Sequence, residues 1–213
     1  MKHHGLILDG VSIALAGREL LSLTHEVAPG AVLTVMGPSG SGKSTLLAYV
    51  GGFLDAAFTA RGRALVGEVE LTALPPEERH VGILFQDPLL FPHMTVAGNL
   101  LFAIPQSVKG KAARLGLVDE ALAGVDLAGL GARDPDTLSG GQKARVALAR
   151  VLLSAPRTLL LDEPFSKLDA GLRQQMRELV FSKARESGLP VLLVTHDEAD
   201  AQAAGGPIVR IGA

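Results

Sequence analysis

The stretch with the most chemistry in it is Gly37-Pro38-Ser39-Gly40-Ser41-Gly42-Lys43-Ser44-Thr45. Gly37, Gly42, Lys43 and Ser44 occupy the fixed positions of the phosphate-binding pattern G-x-x-x-x-G-K-[ST]. Gly37, Gly40 and Gly42 let successive N–H groups turn inward as a concave anion nest. A helix starting near Gly42 adds its unpaired N–H groups and its positive end. Lys43 would then reach the β- and γ-phosphates, and the Ser44 hydroxyl would take one position on Mg²⁺.

Further stations lie downstream. Leu159-Leu160-Leu161-Asp162-Glu163 is an apolar run ending in two carboxylates. Beside a phosphate loop, an Asp so placed holds Mg²⁺, and Glu163 points at the γ-phosphate, ready to accept a proton from attacking water. Leu138-Ser139-Gly140-Gly141-Gln142 opens a long helical pattern. An N-cap role accounts for Ser139 but not for two glycines in a first turn, which cost roughly 1 kcal/mol each relative to Ala. Tight approach of an anion to the positive helix end would justify that cost. Gln86 ends a strand, where a neutral amide can bind Mg²⁺ or the lytic water. His196 follows another apolar strand and fits either a phosphate contact or a structural histidine.

These residues need elements to hold them. Leu6–Leu15 and Leu20–Val27 alternate as strands around a turn at Ala16-Gly17-Arg18. Ala31–Met36 reads as a buried parallel strand leading into the phosphate loop, with a helix after it. Gly51–Arg63 reads as a Gly/Ala-rich connection, Ala64–Leu71 as a strand, Pro75–Glu78 as a turn and Val81–Phe85 as a short strand. From Asp87 to Ala155 the pattern is helical, with helices over Thr95–Ile104, Ala112–Val125 and Ser139–Ser154. Strand and helix then alternate: Thr158–Leu161, Ala170–Ser187, Val191–Thr195, Glu198–Ala204 and Ile208–Ile211. The expected architecture is α/β, a mainly parallel core with an N-terminal antiparallel β part and an α-helical subdomain inserted at about 87–155, within one domain over 1–213.

Composition narrows the function further. At 213 residues and net charge −2, with no basic block, nothing in the chain calls for nucleic acid. The absence of cysteine excludes disulfides and thiolate metal sites. His3-His4 is too short for a metal tract and reads as a solvated terminus. Apolar residues make up 47% of the chain, yet no run reaches the ~20 needed to cross a bilayer. Met1–Ala14 lacks a signal-peptide pattern, so the chain reads as cytosolic.

Taken in order, these motifs resemble the ATP-binding subunit of an ABC transporter, a P-loop NTPase, over almost the whole chain. The match comprises the phosphate loop, Gln86 as Q-loop, Leu138–Gln142 as signature, Asp162-Glu163 as the Walker B end, Ser166–Asp169 as D-loop and His196 as switch. The resemblance implies ATP and Mg²⁺ as cofactors, with Ser44, Gln86 and Asp162 on the metal and Glu163, His196 and Gln86 in catalysis. It implies a homodimer in which Ser139, Gly140, Gly141 and Gln142 of one copy face the ATP bound by Gly37–Thr45 of the other, with Asp169 at the seam. Membrane permease subunits, and through them an external substrate-binding protein, are the implied partners, at the cytoplasmic face of the membrane. Phe85–Val96 is similar to importer ATPases and by that likeness receives a permease helix, with Leu89, Leu90 and Phe91 exposed. Gly82–Phe91 and Asp134–Arg145 carry the likeness to thiamine, iron and molybdate importers. The chain departs from the family at Leu15, where members place an aromatic ring against adenine, and Tyr49 lies too far along to replace it.

Overall fold

The computed structural model describes residues 4–38 and 40–212, so Ser39 and His3 lie outside the described residues. The chain divides into two compact units. The first takes in the chain up to Ile83, Arg157–Glu163 and everything from Phe181 onward; the second takes in Leu84–Pro156 and Pro164–Val180.

The first unit holds two sheets. Strands β1 (Leu6–Leu15) and β2 (Arg18–Val27) form an antiparallel hairpin around Ala16 and Gly17, both at positive φ, as a tight twisted turn requires. Leu6, Leu8, Val11 and Ile13 are fully buried. The extra residue between Leu8 and Val11 is absorbed by a bulge at Asp9-Gly10, where the ladder register shifts. On the other edge of β1 lies β4 (Phe58–Val66), followed by β5 (Val69–Glu70), giving the order β2-β1-β4-β5.

Here the sequence reading needs correction. The connection expected over Gly51–Arg63 is half strand, because Phe58–Arg63 pairs along β1 despite its polar outward face. The single strand expected over Ala64–Leu71 is broken by a turn at Gly67-Glu68 and ends in a 3₁₀ turn, Leu71–Ala73. Pro75–Glu78 is not a bare turn. Pro76 opens a one-turn helix α2 (Pro76–Arg79), where its missing N–H costs nothing.

The second sheet, in the order β6-β7-β8-β3-β9, uses β3 (Val32–Met36), β6 (Val81–Leu84), β7 (Thr158–Asp162), β8 (Val191–Thr195) and β9 (Ile208–Arg210). β3 and β8 are buried along their whole length, the near-continuous apolar run of a covered parallel strand. Parallel pairing puts Met36 beside Thr195 and Asp162 beside Val194. The carboxyl ends of β3, β7 and β8 therefore share one edge, where open α/β sheets bind ligands. Helix α1 (Lys43–Gly51) covers the sheet with Leu46, Leu47 and Val50. The buried Arg79 guanidinium donates to the carbonyls of Tyr49 and Val50 at the C-terminal end of α1.

The second unit is helical: α3 (Val96–Ala103), α4 (Lys111–Ala123), α5 (Gly140–Leu153) and residues 170–180 of α6 (Ala170–Glu186). The last helix, α7 (Glu198–Ala204), belongs to the first unit. Fully buried Asn99 accepts from the Phe91 N–H and donates to the carbonyls of Phe91, Met94 and Thr95, pinning the segment before α3. The exposed patch expected at Leu89, Leu90 and Phe91 is corrected accordingly. Leu89 is exposed, but Phe91 tucks edge-on against Phe102 with the Arg150 guanidinium over its ring. Phe85 and Phe102 supply the other exposed apolar surface of this region.

Candidate functional site

Three strand ends bring the first cluster together. Gly40 and Gly42 sit at φ 80° and 91°, left-handed values that glycine adopts without strain. Gly37 is required for a different reason: a Cβ there would lie 2.5 Å from the Ile211 carbonyl oxygen. Lys43 is 6% exposed and donates to the carbonyls of Gly37 and Pro38 at 2.7 and 2.8 Å, across the mouth of the loop. The Ser44 hydroxyl donates to Asp162 Oδ1 at 2.9 Å. A hydroxyl and a carboxylate in contact suit a hard cation that takes its other ligands from phosphate and water.

Glu163 follows with φ 46°, uncommon for a side chain of its size, and its N–H donates to the Val194 carbonyl. That backbone turn sets its carboxylate 3.0 Å from His196 Nδ1. An open cavity of about 380 Å³ runs from Lys43, Ser44, Thr45 and Glu163 to Leu15, Leu20 and Phe58. The end at Lys43, Ser44 and Glu163 is polar and the end at Leu15, Leu20 and Phe58 apolar.

In the second unit, Ser139 and Gln142 form a capping box at the start of α5, each side chain bonded to the other's backbone. The two glycines between them differ. A Cβ on Gly141 would meet Leu172 Cδ2 at 2.8 Å, a contact that a shift of that side chain's tip would relieve. A Cβ on Gly140 would meet nothing within 4 Å, and the helix start there is open. Gln86, exposed, joins Gly140 in lining an apolar cavity of about 210 Å³ with Phe85, Phe165 and Leu168. Asp169 Oδ1 accepts from the Leu172 N–H in the first turn of α6.

A protein-family model, that of the ABC transporter, matches residues 20–166. The chain belongs to the ABC transporter ATP-binding family. It is similar to the ABC transporter ATP-binding protein YnjD of Escherichia coli, 47% identical over 93% of this chain and 91% of the relative. The thiamine import ATP-binding protein ThiQ of Cereibacter sphaeroides is 49% identical over 81% of this chain and 74% of its own length. A 2-aminoethylphosphonate import ATP-binding protein, PhnT of Salmonella typhimurium, is 42% identical over 92% of this chain but 53% of its own length. The chain thus spans about half of PhnT and nearly all of YnjD.

As an ABC ATPase the chain binds and hydrolyses ATP as a subunit of an ATP-driven transport system. Among the described residues no helix is long and apolar enough to cross a membrane. Sequence reasoning missed two residues of the ABC ATPase cavity, Leu20 and Phe58. Phe58 stands directly opposite Leu15 in the β1–β4 ladder and lines the same cavity. Only the long-range strand pairing reveals it. Tyr49 is elsewhere, its hydroxyl donating to the Gly62 carbonyl, with burial pushing its pKa up.

Burial pushes the Asp162 carboxyl above its usual range; the Ser44 hydrogen bond and Lys43 pull against this, and Glu163 adds to it. A raised folded-state pKa means that the ionised carboxylate costs stability at neutral pH, a cost that starts to shrink as pH falls through that folded pKa and is gone only below the unfolded value. Asp162→Asn is therefore expected to raise the melting temperature of the nucleotide-free ABC ATPase at neutral pH, with the gain shrinking in acid. A melting series across pH checks this, and a lower midpoint at neutral pH would contradict it.

Proposed function

We propose that this chain is the ATPase subunit of an importer, working as a two-fold pair beneath membrane permease subunits. The observation that carries the reading is the Ser44–Asp162 contact at one sheet edge with Lys43 and the Glu163–His196 pair. In this reading Gly37–Thr45 cradle the triphosphate and Lys43 turns from its two carbonyls to the β- and γ-phosphates. Ser44 and Asp162 would hold Mg²⁺, whose charge would offset that of the phosphates, and Gln86 keeps the metal- and water-binding role that the resemblance gives it. Glu163 takes a proton from water, with His196 holding its carboxylate in line.

The second copy supplies Ser139–Gln142, and Asp169 lies at the seam between copies. A pair built in this way is isologous and makes two sites. The import names of ThiQ and PhnT support an importer, with an external binding protein choosing the cargo and this subunit on the cytoplasmic face. Phe85, Leu89 and Phe102 offer the apolar surface on which a permease element would rest. Co-purification of the chain with an integral membrane protein, together with phosphate release from ATP that the assembled complex accelerates, tests the whole reading. Full turnover by a chain that stays monomeric would refute it.

The base would rest against Leu15, Leu20 and Phe58, which carry no side-chain hydrogen-bonding group to read its edge. An aromatic platform is worth about 1–3 kcal/mol per base and accepts any base. Phe58→Ala is thus expected to raise KM for ATP by about tenfold with kcat within about twofold. GTP should be hydrolysed at a kcat/KM within about tenfold of ATP, since apolar walls discriminate weakly. Steady-state kinetics with both nucleotides decide the matter. An unchanged KM in the variant would remove Phe58 from the role.

A further inference from the structure

We infer that Ile211 and Gly212 are positioning residues, bracing the phosphate loop from behind and setting its affinity for triphosphate. The inference rests on the reading of Gly37–Thr45 as the phosphate site. Strand β9 runs parallel to β3, with Arg210 beside Met36, and continues along the outer side of the loop. The Ile211 N–H donates to the Met36 carbonyl at 2.8 Å, and the Ile211 carbonyl oxygen packs so closely on Gly37 that no Cβ fits between them. One residue on, a Cβ at Gly212 would lie 2.9 Å from Ser41 Cβ and 3.6 Å from Pro38 Cδ. Gly212 has φ +71°, so its backbone can follow the loop only as glycine without strain. The Ser41 hydroxyl beside it is buried with no hydrogen-bond partner among the described residues. It stays where packing, and not a bond, puts it.

The loop therefore has an inner tie and an outer one. The inner tie is Lys43 Nζ on the Gly37 and Pro38 carbonyls. When that ammonium turns to phosphate oxygens, its hold on those carbonyls weakens just as the nest must keep its N–H groups converged. The outer tie, from Ile211 to Met36 and from Gly212 against Ser41, does not depend on the Lys43 ammonium and so need not loosen with it. Preorganised donors bind without first paying to be ordered, so a loose brace would appear as lost affinity.

The test uses two variants: Gly212→Val, which drives a branched side chain into Ser41, and a chain ending at Arg210. Both are expected to weaken binding of ATP and of inorganic pyrophosphate by about tenfold, with kcat at saturating ATP within about twofold. The nucleotide-free melting temperature should fall by only about 2–3 °C, since β9 itself remains and the loss is one hydrogen bond with the packing of Ile211. Affinities within twofold of the parent chain would overturn the inference, as would a fall in nucleotide-free melting temperature matching the affinity loss. Lys43→Ala is the control. If it keeps full ATP affinity, the phosphate-loop reading fails and takes the brace with it. If it loses ATP while Gly212→Val binds normally, the brace alone is wrong.

Discussion

Glu163→Gln is expected to lower ATP turnover by about a hundredfold or more while leaving ATP affinity within about threefold, the scale on which a positioned general base acts. The amide has the shape of the carboxylate and takes no proton from water. Its position should survive, because the backbone is fixed by the Glu163 N–H on the Val194 carbonyl and by the left-handed turn at φ 46°. The side chain is also only 26% exposed and meets His196 at 3.0 Å, so the amide would still find a neighbour. Single-turnover phosphate release, set against binding of a fluorescent ATP analogue, separates chemistry from affinity. Parent-like turnover in the Gln variant would take the base away from Glu163 and leave His196 or a chain of waters to explain hydrolysis.

The second large effect is expected at Gly140. Gly140→Leu places its Cβ in open space within this chain, so the fold should be unharmed. It should even gain a few tenths of a kcal/mol, because glycine is the poorer helix residue even at the first position after the cap. Turnover should nevertheless fall by about a hundredfold, the scale on which donors to a developing phosphate charge are lost. ATP binding to the isolated chain should persist, because the lost contact belongs to the second copy. A bulky residue at Ser139 should act in the same direction but would also remove the helix cap, about 1 kcal/mol by itself. Gly140 is therefore the cleaner test. A stable, dimer-competent Gly140→Leu chain that hydrolyses ATP normally would disprove the shared site.

Much of this was legible before any coordinates, and the reason lies in local signals. Val191–Thr195 and Glu198–Ala204 are strand and helix over those same residues, one a pure apolar run and the other an Asp-capped helix. Ser139 caps α5 as the Ser-Gly-Gly-Gln spacing implies. What escaped depends on distant partners. Phe58–Arg63 carries no alternation strong enough to announce a strand, and it becomes one because β1 offers a free edge. Leu172, thirty-one residues after Gly141, is the neighbour that a Cβ there would meet, and nothing local in the sequence announces it. Phe58 belongs to the base end of the cavity only through its register with Leu15.

That register has a further meaning for β7. Asp162 stands beside Val194 because Leu159, Leu160 and Leu161 pair in step with Val191, Leu192 and Leu193. Strand side chains alternate, so removing one residue from β7 would not shorten the strand gently but carry every side chain after it to the opposite face of the sheet. Asp162 would move back to the station of Leu161 and Glu163 to that of Asp162, and the hydroxyl of Ser44 would meet the wrong carboxylate. A conservative swap such as Leu160→Ile should pass almost unnoticed, while a one-codon deletion beside it silences the enzyme. In this protein the arithmetic of spacing is guarded more strictly than the identity of the residues that do the spacing.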